Sequence, residues 1–222
     1  MRICYAFASR SRPARFFEAL ENIRDLSESK DYFIWAKLDE DDLFADMYRV
    51  RLHEFPEMTV KWGLSKNKVD AINRNLNDLP SCDIIIMMSD DVRWDVWAFD
   101  TEIRNAFKQY FPDLSGTIHF PEDHGLERTI IVSILGINLY KELGHLYHPD
   151  FCSVYADNHF TEKTRLMGKY VFVNKRLFSH FHPIWNLCDW DEQYRASEAP
   201  DVYQKDHHTF LRLKSENFGI NE

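Results

Sequence analysis

The sequence has few glycines and none of the glycine-rich motifs that usually bind phosphate. Seven glycines occur in 222 residues, and no stretch matches GxxxxGK(S/T) or GxGxxG. Those motifs hold phosphate with backbone N–H groups at a tight turn before a helix. A chain without them must hold any pyrophosphate through side chains and a metal ion. The sequence also lacks a GxSxG motif, so it shows no signature of a nucleophilic serine.

Cysteine is scarce as well, and long apolar runs are absent. The four cysteines lie far apart with no CxxC spacing. Cys4 and Cys82 lie within apolar runs, so we expect reduced core residues of a cytoplasmic protein. No apolar run approaches the roughly 20 residues that cross a bilayer. The N-terminus does not have the apolar region of a signal peptide, which supports the same location.

The overall composition predicts a well-packed globular protein. Hydrophobic residues make up 45% of the chain and aromatic residues 15%, which argues against disorder. The net charge of −9 disfavours a general binder of polyanions such as duplex DNA, although a local basic groove stays possible. The length suits one large domain or two small ones. We find no internal repeat and no clear linker.

Apolar runs alternate with helical spacing over the first 110 residues, which predicts an α/β fold. This order is typical of a doubly wound, mostly parallel central sheet flanked by helices. Gly168 is expected to end a helix in the second half, and the segment from 183 to 200 has no clear period. We predict strands at 2–8, 32–38, 58–62, 82–88, 116–120, 170–173 and 176–181, and helices from Pro13, from a cap near Ser65, and at 97–111, 138–143, 157–167 and 202–218. The predicted apolar faces of the first two helices are Phe16, Phe17, Leu20 and Ile23, and Val69, Ile72, Leu76 and Leu79.

Two adjacent acids, Asp90 and Asp91, follow the buried run Ile84–Met88. Adjacent carboxylates repel each other unless a cation lies near them. In a parallel sheet the carboxyl ends of the strands meet at one edge, where ligands bind. Paired carboxylates suit a hard divalent cation, Mg²⁺ or Mn²⁺, which also binds substrate phosphates. The pair therefore predicts a divalent-cation site beside a nucleotide diphosphate, unless the two acids only cap the following turn.

The order of these features resembles the GT-A fold glycosyltransferases, of the family-2-like, inverting kind. The resemblance lies in a strand ending at Ser9 and Arg10, a strand ending at Asp39, and the segments GLSKNKVDAINRNL and IIIMMSDDVRW. It implies a nucleotide-sugar donor and makes Asp91 a metal ligand, although SerAspAsp stands where the family has spaced acids. The residues that it assigns to the donor are Ala8, Ser9, Arg10, Asp39, Lys68, Asn73 and Asp90.

Two segments of the second half extend this resemblance. YADNHFTEKTRLMGKYVF is similar to the family segment that supplies the general base, which implies Asp157 for that role, with Ala156 in place of the usual glutamate. SHFHPIW is similar to the segment with a late histidine metal ligand. It implies His180 first and His182 second, both on one face of a strand. The simpler alternatives are a helix cap for Asp157, ordinary surface histidines, and solvated positions for Asp39 and Lys68.

The sequence therefore predicts a metal-dependent, inverting glycosyltransferase with Mn²⁺ or Mg²⁺. We expect a single GT-A-like domain over 1–222, with a nucleotide-sugar half at 1–115, an acceptor half at 116–182 and a lid or tail at 183–222. The alternatives are a nucleotidyltransferase, disfavoured by the absence of glycine in ASRSRP, and a non-catalytic sugar- or nucleotide-binding module. The acceptor stays open among a glycan, a protein, a small molecule and a modified nucleic acid.

Overall fold

The computed structural model describes residues 1–122, 127 and 129–220, which form an α/β fold. The predicted fold class, with a mostly parallel central sheet, is confirmed. The strands are β1 (Ile3–Ser9), β2 (Tyr32–Asp39), β3 (Met58–Gly63), β4 (Ile84–Met88), β5 (Val92–Trp94), β6 (Thr117–His119), β7 (Ile134–Gly136), β8 (Tyr170–Phe172) and β9 (Phe178–His180). The helices are α1 (Pro13–Leu26), α2 (Ala45–Arg51), α3 (Lys68–Asn73), α4 (Phe99–Tyr110), α5 (Ile137–Leu143), α6 (Ala156–Leu166), α7 (Glu192–Ser197) and α8 (Pro200–Ser215).

The main sheet brings the ends of the first strands together at one edge. Its seven strands follow the order β3-β2-β1-β4-β7-β6-β8. The strands β3, β2, β1 and β4 are parallel, and β7 runs antiparallel to both of its neighbours. The carboxyl ends of β1, β2 and β4 therefore lie side by side, where the sequence placed the acid pair. A second, two-stranded sheet pairs β5 with β9 in antiparallel orientation.

Alternating residues of β1 fill two cores, one on each face of the sheet. Tyr5 and Phe7 lie in the core that also contains residues of α1 and α4. Cys4 and Ala6 lie in the opposite core, with residues of α3, α5, α6 and α8. Every residue of β4 is buried, since the strand is covered on both faces. This position explains why all of its residues are apolar. The apolar face predicted for α1 is buried as expected.

The helix α3 ends earlier than its apolar spacing suggests. Asn73 is its last residue, Arg74 leaves the helical conformation with a ψ of 136°, and Asn75 has a φ of 58°. Leu76 is still buried, within a short 3₁₀ turn. The spacing therefore identified the core position correctly, but the prediction of a continuous helix was wrong.

The residue that caps α3 also differs from the prediction. The side chain of Asn67 accepts a hydrogen bond from the backbone N–H of Asp70, at 2.9 Å. Ser65 instead donates its hydroxyl to Asp39, at 2.7 Å. Ser65 therefore belongs to the edge of the sheet where β2 ends, and Asn67 satisfies one of the free N–H groups at the helix start.

Four short elements of the structure were not evident from the sequence. The helix α2, the strands β5 and β7 and the helix α7 were not predicted as separate elements. The end of α6 is as expected, because Gly168 has a φ of 67° just beyond it, a conformation that glycine adopts without strain. No helix in the described part of the chain is long and apolar enough to span a bilayer.

Candidate active site

A cavity of about 1190 Å³ lies at the edge where β1, β2 and β4 end. Its wall continues through the start of α6 and the segment 183–199, here called the strap. Ten of the eleven residues predicted for the site line this cavity, and Asn73 does not. The ten are Ala8, Ser9, Arg10, Asp39, Lys68, Asp90, Asp91, Asp157, His180 and His182.

Both oxygens of Asp90 have protein partners. Ser9 donates its hydroxyl to Oδ2 at 2.8 Å, and Arg12 donates from Nη1 to Oδ1 at 3.0 Å. Burial raises the pKa of Asp90, Arg12 opposes that rise, and the charge of Asp91 adds to it. The cation that the adjacent acids require is thus supplied, for Asp90, by an arginine of the chain itself.

Asp91 is buried but keeps one carboxylate oxygen without a partner. Its Oδ2 accepts a hydrogen bond from the Tyr194 hydroxyl at 2.8 Å and lies 3.5 Å from Nε2 of His180. Its Oδ1 is buried and has no hydrogen-bond partner among the described residues. Burial favours the neutral acid, but the hydrogen bond and charge of His180 outweigh it, so the pKa of Asp91 is lowered.

His180 is oriented by a second carboxylate that the sequence did not reveal. Its Nδ1 lies 3.0 Å from Oε2 of Glu122, which leaves Nε2 facing Asp91. Burial lowers the pKa of His180, but its two carboxylate partners raise it to about 9. A histidine held through its second nitrogen by a carboxylate is the usual arrangement around a metal ligand.

The pairing of β5 with β9 explains how His180 reaches Asp91. Val92 is the register partner of His180 in this ladder, and Phe181 donates its backbone N–H to the carbonyl of Asp91 at 2.8 Å. His182 lies beyond the end of β9, so it is not part of the strand as expected, but its ring lies next to that of His180, with 5.2 Å between the ring centroids. The Nε2 of His182 lies 2.8 Å from Glu198, within the strap.

The donor set around Asp91 fits a divalent cation of the Mg²⁺ or Mn²⁺ type. Oδ1 of Asp91, which is buried without a partner among the described residues, is one candidate ligand. Nε2 of His180 becomes the second when an ion displaces its proton, because a metal binds only the neutral imidazole. No group of three or more His, Cys, Asp or Glu residues in the described part of the chain is arranged to hold a metal. Two protein ligands suffice for such ions, because waters and substrate phosphates complete their coordination.

Asp157 lies near the start of α6 and opens onto the same cavity. The helix begins after Tyr155, whose φ is 60°, and the Asp157 carboxylate accepts the backbone N–H of Asn158 at 2.9 Å. Tyr155, and not Asp157, therefore holds the N-cap position, but the Asp157 carboxylate still satisfies one of the free N–H groups in the first turn. Burial raises the pKa of Asp157, and the charge of Lys68 opposes the rise.

Lys68 and Asn73 lie on the same helix but differ in their surroundings. Lys68 is exposed, lines the cavity and forms no ion pair with any described residue, and its charge acts on both Asp91 and Asp157. Asn73 lies outside the cavity. Its side-chain oxygen accepts the N–H groups of Leu146 and Tyr147, and its amide donates to the Tyr147 carbonyl at 2.7 Å. Asn73 therefore stabilises the backbone at Leu146 and Tyr147 and does not line the cavity.

Asp39 lines the cavity at the end of β2 and is not a solvated loop residue. It is buried, and it accepts hydrogen bonds from Arg10 at 2.9 Å, Ser65 at 2.7 Å and Arg74 at 3.2 Å. Arg10 also bridges to Asp41 at 2.6 Å. The first loop and the end of β2 are thereby joined by charged hydrogen bonds.

Sequence reasoning missed four residues of the site. Arg12 was visible in ASRSRP, one step beyond the residues chosen, and the signal for Glu122 was its position just after β6. The other two lie in the strap, where the sequence has no period that locates them. The missed residues are Arg12, Glu122, Asp191 and Tyr194.

No family model matches the sequence, and no curated protein matches it either. Solved structures do match the fold. The mannosyltransferase PcManGT from Pyrobaculum calidifontis, solved with GDP-Man and Mn²⁺, has a TM-score of 0.67 at 12% identity, over 96% of this chain and 75% of that one. S. aureus TarS residues 1–349, solved with UDP, has a TM-score of 0.64 at 12% identity, over 100% and 76% of the two chains.

A third structure of this kind is glucosyl-3-phosphoglycerate synthase from Mycobacterium tuberculosis, solved with Mn²⁺, UDP and phosphoglyceric acid. Its TM-score is 0.64 at 10% identity, over 92% of this chain and 76% of that one. At this level of identity the likeness establishes the fold. The chain has the GT-A fold, as the sequence predicted, with the acid pair at the expected edge of the sheet.

Proposed function

We propose that this protein is a glycosyltransferase that moves a sugar from a nucleotide-diphosphate donor to an acceptor hydroxyl with inversion. The observation that supports this function best is the placement of Asp91 and Asp157 on one cavity, with Lys68 acting electrostatically on both. A metal-binding carboxylate and a separate base are the two groups that a single displacement requires.

In this proposal Asp91 and His180 hold Mn²⁺ or Mg²⁺. When bound, the ion would neutralise the charge that develops on the departing diphosphate. Lys68 lines the cavity, pairs with no acid among the described residues and acts through its charge on both Asp91 and Asp157, so it would bind the diphosphate beside the ion. Glu122 would keep the His180 ring turned so that Nε2 faces the site.

Asp157 would act as the general base. The acceptor oxygen forms a bond to the anomeric carbon as the bond from that carbon to the diphosphate oxygen breaks. The acceptor proton passes to the Asp157 carboxylate, and the electron pair of the broken bond leaves with the diphosphate. The raised pKa of Asp157, caused by burial, makes it a stronger base than an exposed aspartate, and general-base catalysis is typically worth about 10²–10⁴-fold in rate. One displacement inverts the anomeric configuration.

The nucleoside would bind between the ends of β1 and β2. Ala8, Ser9 and Arg10 follow one strand and Asp39 ends the other, and all four line the cavity. Asp90 was predicted to face ribose or sugar. Ser9 and Arg12 already donate hydrogen bonds to both of its oxygens. We therefore propose instead that Asp90 stabilises the loop after β1 and does not contact the donor directly.

A donor panel tests this function. GDP-mannose and UDP-glucose are natural first members, since structural neighbours were solved with them, and phosphoglyceric acid is a first acceptor to try. We expect release of nucleoside diphosphate that Mn²⁺ stimulates, that Asp91→Asn and Asp157→Asn abolish, and that the exposed control Asp25→Asn retains. Donor binding without turnover would favour the non-catalytic module. Release of pyrophosphate in a second arm, with a nucleoside triphosphate and a sugar 1-phosphate as substrates, would favour a nucleotidyltransferase.

A further inference from the structure

The strap is joined to the acid pair through Arg12. The Arg12 side chain is only 11% exposed. Its Nε and Nη2 donate to the two carboxylate oxygens of Asp191 at 2.7 and 2.6 Å, while Nη1 donates to Asp90 at 3.0 Å. A bidentate guanidinium–carboxylate pair fixes both distance and orientation. Asp191 also caps α7 by accepting the N–H of Tyr194 at 3.0 Å. Arg12, in the loop after β1, therefore fixes the position of α7.

Tyr194 is the residue of α7 that reaches the predicted metal ligand. Its ring is buried and lies under the Arg12 guanidinium, 3.8 Å from the carbon of that group to the ring centroid. A phenol has one proton to donate. The Asp91 Oδ2 atom, at 2.8 Å, is closer than the Phe181 carbonyl oxygen, at 3.3 Å, and it is charged. The proton of Tyr194 is therefore committed to Asp91.

This contact determines which oxygen of Asp91 is available. Tyr194 occupies Oδ2, and Oδ1 is left buried without a partner among the described residues. Arg12 meanwhile pairs with Asp90, so Asp90 does not compete with Asp91 for a cation. A buried acceptor without a partner is unfavourable, and a ligand that binds there removes this cost.

We propose that Tyr194 is a positioning residue for a divalent cation: its hydroxyl holds Oδ2 of Asp91 so that Oδ1 is presented to the ion. This inference rests on the proposed function, because it takes Asp91 as the metal ligand. Without the hydroxyl nothing holds Oδ2 against rotation of the carboxylate. The Asp91 carboxylate can then move closer to His180, whose Nε2 already lies 3.5 Å from Oδ2, and an ion must separate two ligands that bind each other more tightly.

The test measures Mn²⁺ affinity directly, by electron paramagnetic resonance of free Mn²⁺ in a titration of the full chain. Tyr194→Phe removes the hydroxyl and keeps the ring under Arg12. The matched control is Tyr110→Phe, at the exposed end of α4. Loss of a group that orients a metal ligand typically costs about 10–100-fold in affinity. We expect the Kd for Mn²⁺ to rise at least tenfold in Tyr194→Phe and to stay unchanged in the control.

The outcomes separate this inference from the proposed function. If the wild type binds Mn²⁺ and Tyr194→Phe binds it equally well, the positioning role is wrong while the metal site stands. Tighter binding by Tyr194→Phe also overturns it, because the hydroxyl then competes with the ion. A wild type that does not bind Mn²⁺ overturns both this inference and the metal dependence of the proposed function.

A second variant keeps the inference testable if Tyr194→Phe does not fold. Asp191→Asn keeps the phenol but weakens the ion pair with Arg12 that fixes α7. We expect a severalfold rise in the Kd for Mn²⁺, with melting temperatures recorded for each variant. An unchanged Kd in an Asp191→Asn variant whose strap trypsin cleaves faster than in the wild type would contradict the positioning role, because Tyr194 would then be loosened without effect on the ion.

Discussion

Arg12 and Asp90 form a buried ion pair, with Nη1 of the guanidinium 3.0 Å from Oδ1 of the carboxylate. Their side chains are 11% and 5% exposed. This pair joins the loop after β1 to the end of β4. It also explains how two acids tolerate adjacent positions, since Asp90 is neutralised from the first loop and Asp91 faces His180.

The first prediction concerns the contribution of this ion pair to the stability of the protein. Arg12→Leu leaves a buried carboxylate without its partner, which typically costs about 3–5 kcal/mol. We expect a loss of this order in the free energy of unfolding, measured by urea denaturation, and a partial recovery in the double variant Arg12→Leu/Asp90→Asn. Arg24→Leu, on the exposed side of α1, is the control. A double variant no more stable than Arg12→Leu would show that the pair is not the cause.

The second prediction concerns the attachment of the strap. Arg195 is the only lysine or arginine between residues 183 and 199, so trypsin cleaves the strap at one place. We expect faster cleavage after Arg195 in Asp191→Asn, because the Arg12 ion pair and the cap of α7 are both weakened. Glu192→Gln, the adjacent residue, should cleave at the wild-type rate. Equal rates in the two variants would count against the ion pair as the attachment.

A related expectation links the strap to its ligand. Nucleoside diphosphate with Mn²⁺ should slow cleavage after Arg195 in the wild type, because a ligand that binds only the closed state shifts the population toward it. The measurement is the rate of fragment formation on a gel with and without the ligand. Faster cleavage in the presence of ligand would contradict a strap that closes over the donor.

The third prediction concerns acid stability. His159 is buried with its Nε2 unpartnered among the described residues, and burial, with the charge of His148, lowers the pKa of His159 to about 3. The unfolded chain binds this proton near pH 6.5 and the folded chain does not, so stability falls as the pH drops below 6.5. The contribution of one such group is at most about 1.4 kcal/mol per pH unit.

Replacement of His159 by phenylalanine tests this expectation. The ring packs against Phe151 and Phe218, so an apolar ring of similar size suits the position. We expect His159→Phe to lose less stability than the wild type between pH 7 and pH 5, as measured by chemical denaturation. Parallel stability curves for the two proteins over this range would show that His159 does not take part.

The fourth prediction concerns the helix α8. Its buried Asp206 accepts the backbone N–H groups of Cys152 and Ser153, at 2.8 and 2.7 Å. Asp206→Asn replaces one acceptor oxygen by a donor, so one buried N–H is left without a partner, at a cost of about 1–3 kcal/mol. The melting temperature should fall accordingly. Asp201→Asn, in the exposed first turn of the same helix, should lower it less, because a first-turn acid typically contributes only about 0.3–1 kcal/mol. Equal melting temperatures for both variants would refute this role.

Much of the fold was predictable because it depends on local patterns. The buried run of β4, the apolar face of α1 and the glycine beyond α6 are each encoded within a few residues. The strand ends followed from these patterns and from the rule that parallel strands end at one edge. For this reason the residues predicted at the ends of β1, β2 and β4 line one cavity. Lys68, Asp157, His180 and His182, which only the resemblance to the GT-A family implied, line the same cavity.

The errors occurred where distant contacts decide the conformation. Asn73 was expected near the nucleotide, but its amide is occupied by the backbone at Leu146 and Tyr147. The helix α3 ends there although its apolar spacing continues to Leu76. No local pattern indicates a partner more than seventy residues away, so propensity and spacing were not sufficient.

The sequence by itself determined the α/β class, the edge where the acids gather and the types of side chain available there, because periodicity and strand order are local properties. The tertiary structure decided which partner each acid has. Arg12 pairs with Asp90, Tyr194 and His180 face Asp91, and these contacts span 78, 103 and 89 positions of the chain. Only folding brings such groups within hydrogen-bond distance, and at that distance burial and charge determine which carboxylate oxygen is left free.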